Sequence, residues 1–132
     1  MIIIKPHAID HQDLIKEIEN LVFEASLSVL IDRNIRFKEE HVLAIYEERC
    51  KSVGEGEDGL SFVRNLVESF VGENRDARIM VVSGVDSYKK LEKIKRQIRE
   101  IGGVDLYRNV IHTSDDFGCT KKELNSLFPG IN

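Results

Sequence analysis

Four histidines, His7, His11, His41 and His112, are the residues best suited to chemistry in this chain. His7 and His11 stand four apart, a spacing that lets two imidazoles share a helix face and hold a metal. No third ligand stands at a recognisable spacing, and the pair straddles an expected helix start, so two solvated polar residues are the stronger reading. His41 falls on the polar side of an expected helix. His112 is different. It ends the apolar pair Val110-Ile111 and precedes Thr113-Ser114-Asp115-Asp116. A hydroxyl and carboxylates beside an imidazole can fix its tautomer, which nucleophilic and acid–base chemistry both require. A strand-end histidine bonded only to its own loop fits the same local residues and is, on composition alone, the stronger reading.

Other chemistries lack their signatures. There is no GxxxxGK[ST] loop and no GxGxxG after a strand, so the common backbone cradles for phosphate are missing. The stretch GEGEDG, residues 54–59, carries three acids and would repel phosphate. No Ser-His-Asp or Cys-His signature stands out. Cys50 and Cys119 are the only cysteines, too few for a disulfide framework, and free thiols in a reducing compartment are expected. The net charge of -4 gives no general pull toward nucleic acid or an anionic membrane. The basic run Lys89, Lys90, Lys93, Lys95 and Arg96 reads as a solvated helix face.

The elements that must position these residues follow from periodicity. With 132 residues, 42% hydrophobic and 32% charged, the chain fits one packed domain, 1–132. Its apolar runs fall short of the roughly 18 residues of a membrane helix, and its start does not resemble a signal peptide. A soluble cytoplasmic protein is expected. Ile2-Ile3-Ile4 reads as a buried strand ended by Pro6. Asp10 stands where an N-cap would precede a helix near 12–25. Residues 27–37 alternate as a strand with one buried face, through Leu27, Val29, Ile31, Ile35 and Phe37. Residues 38–51 return to helical period, with Val42, Ile45, Tyr46 and Arg49 on one stripe. A loop is expected over 52–59. A helix through Phe62 and Phe70 then ends at Gly72, and Ala77 to Ser83 forms another buried strand. A helix from about Asp86 is stopped by Gly102-Gly103; Val110-Ile111 starts a short strand, and a last helix runs over 120–127. Without the helical insertion the order is β-α-β-β-α-β. That is the ferredoxin-like α/β (α+β) pattern, a four-stranded antiparallel sheet with helices on one face, here with an inserted helical hairpin.

The segment Arg108-Asn109-Val110-Ile111-His112-Thr113-Ser114-Asp115-Asp116 resembles the active-site signature RNxIHGSDS of nucleoside diphosphate kinases. The likeness is collinear. Ile4-Lys5-Pro6 resembles the family's opening IKP, and Glu40 with Tyr46 resembles its helix ExxxxFY. Phe62 to Val67 resembles FFxxLV, and Val82-Ser83-Gly84 a strand end. The resemblance implies that His112 is the nucleophile that takes the γ-phosphoryl group of ATP or another nucleoside triphosphate. The acceptor would be ADP or another nucleoside diphosphate, in a ping-pong reaction. It implies that Lys5 and Arg99 bind phosphate and that Asn109 lies near the ribose 3′ hydroxyl. Ser114 and Glu123 would support the imidazole, Tyr46 would pack beside it, and Asp115 would help hold Mg²⁺ through water. It further implies a homodimer or higher homo-oligomer.

Departures from the pattern are local. Thr113 replaces a glycine, and Val63 stands where the resemblance places a base-stacking aromatic. The stretch between Gly84 and Arg99 is shorter than the family's and lacks an arginine and a threonine that hold the diphosphate. Glu92 falls nearest that arginine's place, with Lys89 or Lys93 one turn away as substitutes. A catalytically weak or inactive nucleotide-binding or interaction module of the same fold is therefore the alternative expectation.

Overall fold

In the computed structural model, β1 (Ile2–Ile4) is central and fully buried, as a continuous β-branched run should be. The structure describes residues 1–72, 74–102 and 109–129. After β1 come a short 3-10 turn (Pro6–Ala8), α1 (Gln12–Glu24), β2 (Ser28–Ile35), α2 (Glu39–Ile45), α3 (Glu47–Ser52) and α4 (Glu57–Val71). Then follow β3 (Ala77–Ser83), α5 (Ser87–Gly102), β4 (Ile111–Thr113) and α6 (Phe117–Leu127). The sheet order is β2-β3-β1-β4, antiparallel throughout, which is the ferredoxin-like arrangement.

Period-two alternation splits β1 between two cores. Ile2 and Ile4 face α1 and α5, against Ile18, Val22, Leu91, Ile94 and Ile98. Ile3 faces the other way, into a cluster with Phe37, Val42, Leu66, Phe70 and Leu127. α1 and α5 thus share one face, and α2, α4 and α6 cover the other. Burying both faces protects β1 and gives the second face a set of side chains that could form a site.

Several expectations are corrected. Asp10 does not cap α1. His11 is the N-cap residue and makes no side-chain cap bond, while Asp10 pairs with Arg75, a partner no local reading could find. The alternation through Val29 fails because β2 is an edge strand with a register shift between Val29 and Ile31; Val29 and Leu30 are exposed. The helix expected over 38–51 is two helices meeting at Tyr46, and Arg49 is exposed. His41 is more than a solvated residue: its Nδ1 accepts the Lys38 backbone N–H at 3.0 Å at the start of α2. The loop expected over 52–59 is shorter, because α4 starts at Glu57, with Glu57 and Asp58 in its first turn where carboxylates suit the free N–H groups. Gly59 lies inside that helix for a steric reason: a Cβ there would sit 2.2 Å from the Gly54 carbonyl oxygen. α5 runs through Gly102; Gly103 and Arg108 lie outside the described residues. α6 begins at Phe117, earlier than expected, because Asp116 is its N-cap and accepts the Cys119 N–H at 2.8 Å.

Candidate active site

Register places the functional side chains. Ile3 of β1 pairs opposite His112 of β4. His112 therefore faces the α2–α4–α6 side, and so does Lys5, two residues beyond Ile3. Thr113 alternates with His112 and shares the face of Ile111, so its β-branched side chain points away from the imidazole. The residue before β4 is strained. Val110 has φ of 75°, a value β-branched residues rarely adopt, inside a tight turn closed by Ile111 N–H donating to the Asn109 carbonyl at 2.9 Å. The Val110 carbonyl accepts the Lys5 N–H at 2.8 Å, which ties the turn to β1. Strain of this kind persists only where surrounding bonds hold it.

His112 Nε2 lies 2.8 Å from Glu123 Oε1, and the Ser114 hydroxyl donates to Glu123 Oε2 at 2.6 Å. Ser114 and Glu123 are both buried, and the His112 side chain is 15% exposed. Both carboxylate oxygens are thereby used. An ionised Glu123 can only accept, so neutral His112 carries its proton on Nε2 and leaves the Nδ1 lone pair for attack. The two supports come from different elements, Ser114 from the end of β4 and Glu123 from α6. No described group hydrogen-bonds to Nδ1.

One aromatic ring meets the imidazole, and two cations lie near it in the fold, Lys5 by Tyr46 and Arg99 at the Ile111 carbonyl. The Tyr46 ring meets His112 edge-on at 5.1 Å between centroids. The break between α2 and α3 falls at this tyrosine. Lys5 is 1% exposed, with Nζ 5.2 Å from the Phe70 ring centroid and 5.7 Å from that of Tyr46. Arg99 reaches from α5 and donates from Nη2 to the Ile111 carbonyl at 2.9 Å. Its Nε, and the Tyr46 hydroxyl, are buried without a hydrogen-bond partner among the described residues. Burial pushes the Tyr46 phenol above its ordinary value, with Arg99 opposing, and pulls the Arg99 guanidinium below its own, with Tyr46 opposing. Buried polar atoms without partners are uncommon in folded proteins and call for an explanation.

The structure brings His112, Ser114, Glu123, Tyr46 and Lys5 together, with Arg99 at the carbonyl that precedes His112. Asn109 is partly buried at the strained turn, and Asp115 is exposed immediately after Ser114. Val63 is partly buried on α4. The neighbouring Phe62 carries the aromatic ring, and the Arg49 guanidinium sits 5.4 Å from its centroid. Phe70, beneath Lys5, was legible only as a core position on its helix. No group of three His, Cys, Asp or Glu among the described residues could hold a metal ion.

A ferredoxin-like sheet with a histidine–glutamate–serine relay on its edge strand defines the class of domain. The family model for nucleoside diphosphate kinase matches residues 1–132, and the chain belongs to that family. It is 24% identical over 140 residues to nucleoside diphosphate kinase homolog 5 of Mus musculus, an alignment that covers 98% of this chain and 61% of that protein. This chain thus spans under two thirds of that curated relative. Among solved structures, a nucleoside diphosphate kinase from Encephalitozoon cuniculi superposes with a TM-score of 0.78 at 26% identity, covering 98% of this chain and 87% of that one. A halophilic nucleoside diphosphate kinase from Halobacterium salinarum in complex with CDP gives 0.75 at 22% identity, covering 97% and 85%.

Proposed function

We propose that the protein is a nucleoside diphosphate kinase that moves the γ-phosphoryl group of a nucleoside triphosphate to a nucleoside diphosphate through a phosphohistidine on His112. The observation that carries this reading is the relay Ser114–Glu123–His112, which leaves the Nδ1 lone pair of His112 for attack. The Nδ1 lone pair attacks the γ-phosphorus as the bond to the β–γ bridging oxygen breaks, and the diphosphate leaves. A terminal oxygen of the second diphosphate then attacks the same phosphorus, the P–N bond breaks, and neutral imidazole is restored. Through both halves Glu123 accepts from Nε2–H, which stabilises positive charge developing on the ring. Lys5, Arg99 and the Tyr46 hydroxyl are donors suited to the oxygens of the transferring group. In this reading Asn109 meets the ribose, as the resemblance implies, and Val63 with its neighbour Phe62 offers an apolar surface to the nucleotide.

Mg²⁺ belongs to the reading as the ion carried on the nucleotide phosphates, where it offsets their charge. The exposed carboxylate of Asp115 suits contact through water, because the neighbouring Asp116 is engaged in capping α6. Among the described residues, no helix is long and apolar enough to cross a membrane. Cys50 and Cys119 are free thiols, which fits the cytoplasm. Self-association is part of the proposal: β2 is an unpaired sheet edge with Leu30 exposed at its bulge and Phe23 exposed nearby in sequence, which supports a homodimer.

The test is transfer of label from [γ-³²P]ATP with Mg²⁺. The expected product is an acid-labile, alkali-stable adduct that chases to added nucleoside diphosphate and is abolished in His112→Ala. One observation favours the second reading, a nucleotide-binding module: only three residues separate β3 from α5, which leaves little chain for a loop over a diphosphate. Micromolar binding of ADP by calorimetry with no label would select that module.

A further inference from the structure

Two residues that touch His112 each have a neighbour in sequence that touches the other's neighbour. Tyr46 packs on the imidazole, and Glu123 bonds its Nε2. Beside them, Glu47 and Lys122 form an ion pair and hydrogen bond between α3 and α6. Glu47 also holds Lys51 one turn on, at 3.0 Å. Lys122 feels Glu48 as well as Glu47. The Glu47 carboxyl is pulled down to about 2, first by Lys122 and then by Lys51, so it is ionised throughout the working range. Glu47 stands at the junction of α2 and α3, where the chain leaves helical geometry at Tyr46. A bond at this junction restrains the Tyr46 ring more directly than one farther along either helix.

We propose that Glu47 and Lys122 are positioning residues: a clasp between α3 and α6 that holds Tyr46 and Glu123 in register on the two sides of the His112 imidazole. This rests on the reading of His112 as the phosphoryl carrier and extends it to residues that touch neither substrate nor reacting atoms. An exposed ion pair contributes little to global stability. Its effect here is geometric. It shortens the excursions of two side chains whose placement decides whether Nδ1 faces an incoming phosphorus atom.

Charge reversal tests the clasp, in a Lys51→Ala background that leaves Glu47 a single cationic partner. Glu47→Lys and Lys122→Glu are each expected to slow labelling at saturating ATP by about tenfold, with KM and final stoichiometry changed by less than about twofold. The reversed pair, carrying both changes, is expected to recover to within about twofold of the background. Single reversals as fast as the background, or a reversed pair as slow as the slower single, overturn the proposal. So does a Lys51→Ala change that alone slows labelling as much as a reversal does. A parent protein that takes no label at all refutes the phosphotransfer reading and not the clasp. The clasp is then read from exchange of the His112 Nε2–H proton by NMR: faster in each single reversal and restored in the pair supports it, and equal exchange in all variants overturns it.

Discussion

The two sides of His112 are finished to different degrees. Toward α6 every polar group has its partner: Nε2 to Glu123, Glu123 to Ser114, and Asp116 to the N-terminus of the helix that carries Glu123. Toward α2 and α5 the Tyr46 hydroxyl and Arg99 Nε are buried with no partner among the described residues, and the buried Lys5 ammonium lies against the Phe70 and Tyr46 rings. Both regions are buried, so solvent does not explain the contrast. The first holds the imidazole still in one tautomer. The second keeps donors in a low-dielectric place, where an anion would gain most from them. A protein optimised only for stability would fill the second region with hydrocarbon.

Changes that erase this difference should separate activity from stability. Lys5→Met keeps the buried stem and removes the charge; labelling by ATP is expected to fall by about 10²–10³-fold while the variant still unfolds cooperatively in urea. Loss of folding with loss of label would make Lys5 a structural residue. Glu123→Gln acts on the finished side. It removes the charge that stabilises the imidazolium-like ring, and labelling at saturating ATP should slow by about 10²-fold, with ADP affinity from calorimetry unchanged. An equal loss in ADP affinity would mean that the two sides are not separable. Tyr46→Phe removes a buried hydroxyl that lacks a partner among the described residues. The variant should be more stable by about 1 kcal/mol in urea and bind ADP several-fold more weakly. A destabilised Tyr46→Phe would show that the hydroxyl has a structural partner.

The smallest effect concerns acid. Arg78 hydrogen-bonds the Asp32 carboxyl and holds it below its ordinary 3.8, and the Cys119 N–H does the same for Asp116. A lowered folded pKa stabilises the fold fully above the unfolded value, and the contribution is lost as pH falls through the folded one. Urea midpoints compared at about pH 5 and about pH 3 should therefore fall less in Asp32→Asn than in the parent, by a margin that shrinks with salt. An identical drop would remove Asp32 from the acid response.

How much of this was legible in the residues depended on the range of the interaction. β1 and β3 were read correctly because a buried strand is a short apolar run, and α1, α4 and α5 because their apolar stripes are local. The resemblance implies that Ser114 and Glu123 support His112, and bonds of 2.8 and 2.6 Å join the three side chains, a contact that spacing alone leaves open. The break at Tyr46 was not legible, since helical period continues across it. The bulge at Leu30 was hidden because an edge strand needs only part of its alternation. Asp10 pairs with Arg75, which is remote in sequence and so invisible to local spacing, and the Glu47–Lys122 contact is hidden for the same reason. The resemblance drew attention to Val63, while the ring with an exposed cationic neighbour is Phe62.

The central claim is that His112 receives a phosphoryl group on Nδ1 because Glu123 occupies Nε2. It is met most directly by a ³¹P–¹H correlation spectrum of the protein after exposure to ATP and Mg²⁺. The predicted result is one phosphorus resonance coupled to the His112 ring with the pattern of an Nδ1 adduct. A resonance on Nε2, or none from His112 while the folded protein binds nucleotide, contradicts it.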